Sequence, residues 1–329
     1  MSDPDAFPSL SVPKRSIPVP RSISPEAQAV LGRAAQRPFT WPEYPAPNDT
    51  DAWLRWADAA NANMRMMIGT MPDGEDAPDI EILMAGDVLC YRVARCSAGG
   101  NRKDKVLFEI HGGGLIGGGG DLCRIMAAKA SVQMDATVYS PDYRVPPLNP
   151  FPVPLNDCVE AYREVIKRHA PQTIVVHGSS AGGNLAAALM LRAKAEGLPL
   201  PAGLILETPE LDLTESGDSF ETNAIIDVVL QTGLEAVNRL YANGHDLADP
   251  YLSPLFGDFS DDWPPTMITA GTRDLFLSNA VRMLHRLRAA NAPVELLVYE
   301  AMPHGGFFGT PEDRALGQDL RTFAERCWC

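Results

Sequence analysis

Basic residues are few in this sequence. Its 329 residues include 28 Lys and Arg against 42 Asp and Glu, and the formal net charge at pH 7 is −14. The sequence lacks a basic patch of the kind that binds phosphates, so we expect no nucleic-acid partner. The excess of acidic residues favours solubility and disfavours strongly anionic substrates.

Long apolar runs are missing as well. No uninterrupted apolar stretch reaches the roughly 18 residues that a membrane-spanning helix needs, so we expect no membrane partner. The opening stretch, MSDPDAFPSL, lacks the basic region and the apolar segment of a signal peptide. The resulting expectation is a cytoplasmic location.

The cysteines form neither a C-x-x-C pair nor a Cys/His cluster with the spacing of a zinc site. We therefore expect no bound metal, and we expect free thiols in a reducing compartment. The cysteines are Cys90, Cys96, Cys123, Cys158, Cys327 and Cys329.

Composition and length suit one large α/β domain with an added subdomain, since 45% of the residues are hydrophobic and 21% are charged. Residues 1–47 are dense in proline, which predicts little regular structure there. Over residues 50–67 apolar side chains recur at helical spacing, and Trp53, Trp56 and Met64 give this predicted helix a bulky face. The face is expected to pack on the main domain. An alternative, compatible with the first, is that part of it lines a substrate pocket as a cap.

After Pro78, strand-like and helix-like segments alternate. The repeated βα order predicts a mostly parallel sheet covered by helices on both faces, and the first two strands are close enough to form an antiparallel hairpin. The predicted strands are 80–84, 88–94, 105–110, 136–140, 173–177, 203–207, 266–270 and 294–299, and the predicted helices are 122–133, 156–169, 181–196, 278–290 and 311–325. Ligands of such sheets bind beyond the carboxyl ends of the strands, so functional residues should directly follow strands.

A serine follows the predicted strand 173–177 in the pattern G-x-S-x-G, which spans residues 178–182 and precedes an Ala-rich helix. Strand, tight turn and helix are the context of a nucleophile elbow, in which the central residue has a positive φ and the glycines leave room for the crossing. An ordinary glycine-rich turn is the competing interpretation of so short a pattern. The context favours a nucleophile, and Ser180, unlike Ser179, has glycine two residues before and two after it.

Glycines also follow the predicted strand 105–110, in the run His111-Gly112-Gly113-Gly114. Acyl transfer builds negative charge on a carbonyl oxygen, and bare backbone N–H groups approach and stabilise that charge. Ala181, directly after the nucleophile, is expected to supply one such N–H. A phosphate-binding loop is the alternative, because Gly117–Gly120 extend the run, but no G-K-[ST] follows. His111 is expected to hold the loop by hydrogen bonds.

A serine nucleophile needs a base, and the base needs an orienting partner. His304 lies in the loop after the last predicted strand, and Asp274 directly follows the predicted strand 266–270. The chain order Ser180, Asp274, His304 is that of α/β-hydrolase triads. The rival candidates are His245 for the base, and Asp212 and Asp249 for the acid, since a lone loop aspartate is often a turn or cap residue.

Together these motifs resemble the hormone-sensitive-lipase-like family of bacterial esterases. The similarity extends from about residue 80 to the C-terminus. It rests on HGGG at 111–114, GSSAGG at 178–183, the Asp274 segment, PHG at 303–305, ETPELDLTESGDS at 207–219 and DPYLSPL at 249–255.

The resemblance implies an α/β-hydrolase fold with a mostly parallel sheet, flanking helices and a helical cap. The cap would be built from the N-terminal segment 1–78 and from an insertion at 210–245, and the catalytic domain would span 79–329. The expected partners are a small-molecule ester and, because such enzymes are often dimers, a second copy of the chain.

The resemblance also implies hydrolysis of short-chain acyl esters without a cofactor. An acyl-enzyme would form on Ser180, with His304 as general base and Asp274 as orienting acid. The implied oxyanion-hole donors are the N–H groups of Gly113, Gly114 and Ala181.

Several positions depart from the family pattern. Ser179 stands where the family has Asp or Thr, and Leu148 replaces the glutamate of Y-R-L-A-P-E. Ser278 and Asn279 replace acidic residues that usually follow the triad acid. None of these changes removes a catalytic group, so they bear on substrate range.

Two other functions stay open. A lactone hydrolase would use the same triad, and the stretch around Asp212 and the segment 249–255 also resemble monoterpene-lactone hydrolases of this family. A non-catalytic ligand-binding protein could be built on the same scaffold, because fold alone does not determine function. The complete set of triad candidates and the glycine loop argue against the second alternative.

Overall fold

One eight-stranded sheet forms the centre of the structure, a computed structural model that describes residues 12–36, 43–74, 77–95 and 105–328. Its strands are β1 (Pro78–Ala85), β2 (Val88–Arg95), β3 (Val106–Ile110), β4 (Thr137–Pro141), β5 (Ile174–Ser179), β6 (Gly203–Glu207), β7 (Thr266–Gly271) and β8 (Val294–Tyr299). Their spatial order is β1-β2-β4-β3-β5-β6-β7-β8. β1 pairs antiparallel with β2, and β2 with β4, whereas the other pairs are parallel. The predicted mostly parallel sheet and the predicted hairpin are confirmed.

Helices cover both faces of this sheet. They are α1 (Pro25–Gln36), α2 (Thr50–Ile68), α3 (Asp121–Met134), α4 (Val153–Arg168), α5 (Ala181–Ala195), α6 (Ser219–Thr222), α7 (Glu235–Ala242), α8 (Leu277–Ala289) and α9 (Pro311–Cys327). Side chains alternate between the faces along each strand. Leu107, Val175 and Ile205 therefore pack with α1, α3 and α9, while Phe108 and Val176 pack with α4, α5 and α8.

The prediction of little regular structure in residues 1–47 is wrong in part, because α1 spans Pro25–Gln36. Pro25 occupies the first helical position, where its missing N–H costs nothing. The hydroxyl of Ser24 accepts a hydrogen bond from the N–H of Ala27 and caps the helix. Leu31 is buried against the domain, so tertiary packing stabilises a helix that proline density alone disfavours.

The bulky face of α2 packs in a separate apolar cluster. Trp53 and Trp56 contact each other at 5.8 Å between ring centroids, and both pack near Tyr44. Most other members of this cluster come from residues 220–237 and from the loop after β7, and Ile116 joins them from the loop after β3. The members from those two regions are Phe220, Leu230, Leu234, Val237, Leu275 and Phe276. The two segments predicted to form a cap therefore pack against one another, although residues 1–11, 37–42 and 75–76 of the first lie outside the described residues.

Four cysteines lie in the described part of the chain, and Cys90, Cys123 and Cys158 among them are free thiols. Cys90, Cys123 and Cys158 are buried, and Cys327 is half-buried. Cys96 and Cys329 lie outside the described residues. No helix among the described residues is long and apolar enough to cross a membrane.

The aromatic cluster generates a prediction about stability. Trp53 is 1% exposed, and its indole N–H donates to the carbonyl of Ala46 at 3.2 Å. Replacing Trp53 with Ala should lower the free energy of unfolding by about 3–5 kcal/mol, because the change leaves a cavity. Replacing the neighbouring Leu54, which is 37% exposed, should change it by only about 0.5 kcal/mol. Urea unfolding measures both, and equal losses would contradict the inferred packing.

Candidate active site

Ser180 lies in the sharp turn between β5 and α5. Its backbone has φ 56° and ψ −120°, a conformation that residues with a side chain rarely adopt. A Cβ atom at Gly178 would overlap the carbonyl oxygen of Gly182, and one at Gly182 would overlap that of Ile110. Glycine is therefore required on both sides, and the turn presents the Ser180 hydroxyl at the amino end of α5.

The structure brings Ser180, His304 and Asp274 together from loops that follow three different strands. His304 Nε2 lies 2.9 Å from Ser180 Oγ, and His304 Nδ1 lies 3.0 Å from Asp274 Oδ1. Asp274 is fully buried, and its Oδ1 also accepts a hydrogen bond from the N–H of Phe276. With Nδ1–H donating to the carboxylate, Nε2 is free to accept the serine proton.

The electrostatic surroundings of His304 favour its protonated form. Burial by itself lowers the pKa of His304, but the nearby carboxylates, above all Asp274 and then Asp227 and Glu210, raise it above its ordinary value. An imidazole that has accepted a proton from Ser180 is therefore stabilised in place.

The glycine loop after β3 places bare backbone beside the serine. Gly113 has φ 141° and Gly114 has φ 59°, and a Cβ atom at Gly113 would overlap the carbonyl oxygen of Gly117. No hydrogen bond within the described part of the chain uses the N–H groups of Gly113, Gly114 or Ala181. These three groups are available to an anionic oxygen.

His111 anchors this loop. Its Nδ1–H donates to the carbonyl of Gly112 at 2.8 Å, and its ring stacks on Tyr143 with 4.1 Å between centroids. The Tyr143 hydroxyl donates to the carbonyl of His111. Burial lowers the pKa of His111, so the ring is neutral and serves the loop as a fixed, packed element.

One group of side chains has the composition of a metal site. His111, Cys123 and Asp142 each place one potential ligand atom within 4.8 Å of the others. Each of the three already has a hydrogen-bond partner in the fold: His111 the carbonyl of Gly112, Cys123 the hydroxyl of Ser140 and Asp142 the N–H of Gly120. We therefore assign the group to loop packing.

A cavity of about 540 Å³ opens beside the catalytic candidates. Ser180 and His304 lie on its wall. Its other lining residues include Trp56, Met64 and Met67 from α2, Gly112 to Gly114, and Leu230, Leu234 and Val237 from the second predicted cap segment. Both interpretations of α2 therefore apply, since its face packs on the fold and also lines the cavity.

Polar residues of the sheet also line this cavity. His177 Nε2 lies 3.1 Å from a carboxylate oxygen of Glu207, and Glu109 stands beside His177 in the register of β3 and β5. Burial lowers the pKa of His177, but the hydrogen bond and charge of Glu207 raise it above its ordinary value overall. Sequence reasoning missed this group of polar residues, because Glu109, His177 and Glu207 come from three separate strands.

The rival candidates lie in other arrangements. Asp212 is buried in an ion pair with Arg282 at 2.6 Å. The carboxylate of Asp249 accepts a hydrogen bond from the N–H of Tyr251, as in a turn, and His245 packs edge-on against Phe151. The rivals thus have structural partners of their own.

The departures from the family pattern are accommodated locally. Ser278 and Ser219 exchange two hydrogen bonds of 2.9 Å through their hydroxyls and backbone N–H groups. The side-chain amide of Asn279 donates to the carbonyl of Pro209. Leu148 is exposed, and Ser179 lines the cavity. Neutral side chains therefore replace the family's carboxylates at these positions.

Sequence reasoning missed Asp227, a fully buried carboxylate that contacts the backbone of His304. A signal was present, because Asp227 stands alone within the apolar stretch from Ile225 to Leu230. A charged residue in such a stretch is either exposed or partnered inside the fold. The sequence could not indicate which partners those are.

The strand order, the serine turn and the glycine loop define the fold as that of an α/β hydrolase. A family model described as alpha/beta hydrolase fold matches residues 107–308. The chain belongs to this family, and its similarity to solved structures extends to the hormone-sensitive-lipase group within it.

Three known proteins illustrate the relationship. An esterase of Acinetobacter venetianus is 30% identical over 201 residues, which cover 60% of this chain and 66%, just under two thirds, of that esterase. The crystal structure of esterase E25 superimposes with a TM-score of 0.82 at 30% identity, covering 97% of this chain and 98% of E25. The crystal structure of the hormone-sensitive-lipase homologue EstE7, from a metagenome library, superimposes with a TM-score of 0.74 at 31% identity. The match covers 87% of this chain and 100% of EstE7. The resemblance inferred from the sequence motifs is confirmed.

The contact between Asp274 and His304 generates a prediction about proton affinity. Asp274→Asn removes the charge that does most to raise the pKa of His304 against burial, so that pKa should fall. The pH titration of the His304 ring protons by NMR measures the change. Asp249→Asn, at a rival acid in a turn, should leave the titration where it is. A His304 pKa that does not change in Asp274→Asn would show that this carboxylate is not the partner.

Proposed function

We propose that the protein is a serine carboxylesterase that hydrolyses short-chain acyl esters. The observation that carries the proposal is the bonding of one imidazole, that of His304, to both Ser180 Oγ and Asp274 Oδ1. This arrangement of nucleophile, base and orienting acid makes a serine hydroxyl reactive.

In the proposed mechanism, Ser180 Oγ attacks the ester carbonyl carbon while His304 Nε2 takes the hydroxyl proton. The tetrahedral intermediate carries its negative charge on the former carbonyl oxygen, where Gly113, Gly114 and Ala181 offer N–H groups. Collapse of the intermediate breaks the bond to the alcohol, which leaves with the proton from His304. Water then attacks the acyl-enzyme by the same steps and releases the acid.

Asp274 would act without touching the substrate. It is fully buried, and its carboxylate holds the Nδ1–H of His304, so the base keeps the tautomer and direction that the reaction needs. The imidazolium formed after proton transfer then lies beside a negative charge in a medium of low dielectric constant, where the attraction is strong.

The names of the relatives support ester hydrolysis as the reaction. The matched Acinetobacter protein is named an esterase, and a Mycobacterium tuberculosis protein, 29% identical over 267 residues, is named a carboxylic ester hydrolase. These names favour the same chemistry in this chain.

The cavity supports a small, mainly apolar substrate. Its volume lies within the range of about 300–1,000 Å³ typical of small-molecule sites. Its lining combines apolar side chains, among them Leu230, Leu234 and Val237, with polar residues of the sheet. An acyl chain long enough to cover His177 and Glu207 would desolvate them, which disfavours long-chain substrates.

Substrate range can be tested with p-nitrophenyl esters from acetate to palmitate. We expect kcat/KM to be highest at short acyl chains and to fall by at least about tenfold toward palmitate, since each unfavourable 1.4 kcal/mol costs a factor of about ten. A serine-directed phosphonate should abolish turnover. Rates that rise steadily to palmitate would contradict the short-chain proposal, and no ester turnover with rapid lactone opening would replace it with a lactone hydrolase.

The identity of the nucleophile is tested with two adjacent substitutions. Ser180→Ala should reduce kcat by about 10⁴-fold or more, as loss of a triad nucleophile does, and leave the far-UV circular dichroism unchanged. Ser179→Ala is the matched control, because it removes the same hydroxyl one residue away and should retain kcat within about threefold. Near wild-type turnover in Ser180→Ala would refute the mechanism.

A further inference from the structure

Asp227 is a buried carboxylate that the proposed mechanism does not use. It lies in the segment between α6 and α7 and has no exposed surface. Four backbone N–H groups point at it, from Val229 at 2.9 Å, Leu230 at 3.0 Å, Leu275 at 2.9 Å and His304 at 3.2 Å. Such a set of donors solvates a buried negative charge.

The four donors belong to three separate parts of the site. Val229 and Leu230 line the cavity. Leu275 directly follows Asp274, and His304 is the proposed base itself. One carboxylate therefore joins the substrate-facing wall to the loops that carry the acid and the base.

We propose that Asp227 is a positioning residue, which holds the backbone of His304 and of the Asp274 loop in catalytic register and adds a second negative charge beside the imidazolium. The inference rests on the proposed function. Asp227 acts through His304 and does not contact the reacting atoms.

The alternative is that Asp227 only stabilises the cap segment. Its bonds to Val229 and Leu230 would suffice for that role, because they form a local turn within three residues. The bonds to Leu275 and His304 span 48 and 77 residues of the chain and reach the other two loops. A local turn does not require these bonds, and they are the ones that carry the proposal.

Other ionisable groups share this region and bear on any pH measurement. Asp274 and Asp227 both face His304, from the loop after β7 and from the cap segment, and Glu210 faces it from the end of β6. Burial raises the pKa of Asp227 to about 6, with a further increase from Asp274, and burial raises that of Glu210 to about 8. Asp227 therefore titrates on the acid side of pH 7 and Glu210 on the alkaline side.

The decisive substitution is Asp227→Asn, which keeps the shape, removes the charge and turns an NH₂ toward N–H donors. We expect kcat to fall by roughly 10- to 100-fold, the range for losing a hydrogen bond to a charged group, with KM changed by less than about threefold. The acid limb of the profile of kcat/KM against pH should move to lower pH, because the charge that stabilises protonated His304 is gone.

Asp212→Asn is the matched control. Asp212 is also a fully buried carboxylate of the segment 210–245, but it pairs with Arg282 and bonds to Thr214 and Ser216. Asp212→Asn should destabilise the fold, yet leave the acid limb of the profile of kcat/KM against pH where it is. If Asp227→Asn and Asp212→Asn lose stability alike and keep the same acid limb, the role of Asp227 is structural and the proposal fails.

A second variant decides the matter if Asp227→Asn does not fold. Asp227→Glu keeps the charge but displaces it by one methylene, so kcat should fall while the acid limb stays near that of the wild type. Wild-type kcat in Asp227→Glu would overturn the inferred positioning. Absence of any ester turnover in the wild type would instead refute the proposed function, and the NMR titration of His304 in Asp227→Asn would still test the contact.

Discussion

The close crossing of α5 over the ends of β3 and β5 is the constraint on which the site depends. Gly178 and Gly182 permit that crossing, and twelve of the fifteen residues of α5 are buried once it is made. A positive φ at a serine costs on the order of 1–3 kcal/mol, and the burial of a whole helix offsets it many times over. The position of the Ser180 hydroxyl is therefore a result of core packing and does not require the loop itself to be rigid.

The proposed base and acid, His304 and Asp274, are held in a different way, because they lie on loops without such a core. Buried hydrogen bonds hold these loops in place of apolar packing. Asp274 accepts a hydrogen bond from the ring of His304, and the side-chain amide of Asn223, in the segment 210–245, donates to the carbonyl of Asp274. Buried polar groups are costly unless they are satisfied, so each bond that is made excludes many other loop conformations. The segment 210–245 thus contributes to the geometry of the proposed base and acid as well as to the cavity wall.

Much of the fold was predictable because the relevant signals are local. Central strands such as β3 and β5 are mainly apolar runs between breakers, and their predicted bounds differ from the observed ones by at most two residues. The start of α4 was predicted three residues late, since Pro154 falls in its first turn, where proline is tolerated. Likewise G-x-S-x-G is informative because its first glycine avoids a steric overlap with its last, within the same five-residue turn. The placement of Asp227 and the pairing of His177 with Glu207 were not predictable, because each depends on strands or loops brought together only by the sheet order.

The same distinction explains why the reaction is easier to infer than the substrate. Ser180, His304 and Asp274 each follow a strand, and parallel strands end at one edge of the sheet, so sequence order alone brings them near one another. No comparable rule predicts from the sequence which residues line the cavity. Its wall combines α2, the segment around Leu230 and the polar residues Glu109, His177 and Glu207, none of which neighbours the others along the chain. The shape of the cavity is therefore a property of long-range packing, and a change in α2 or in the segment 210–245 can alter it while Ser180, His304 and Asp274 stay in place.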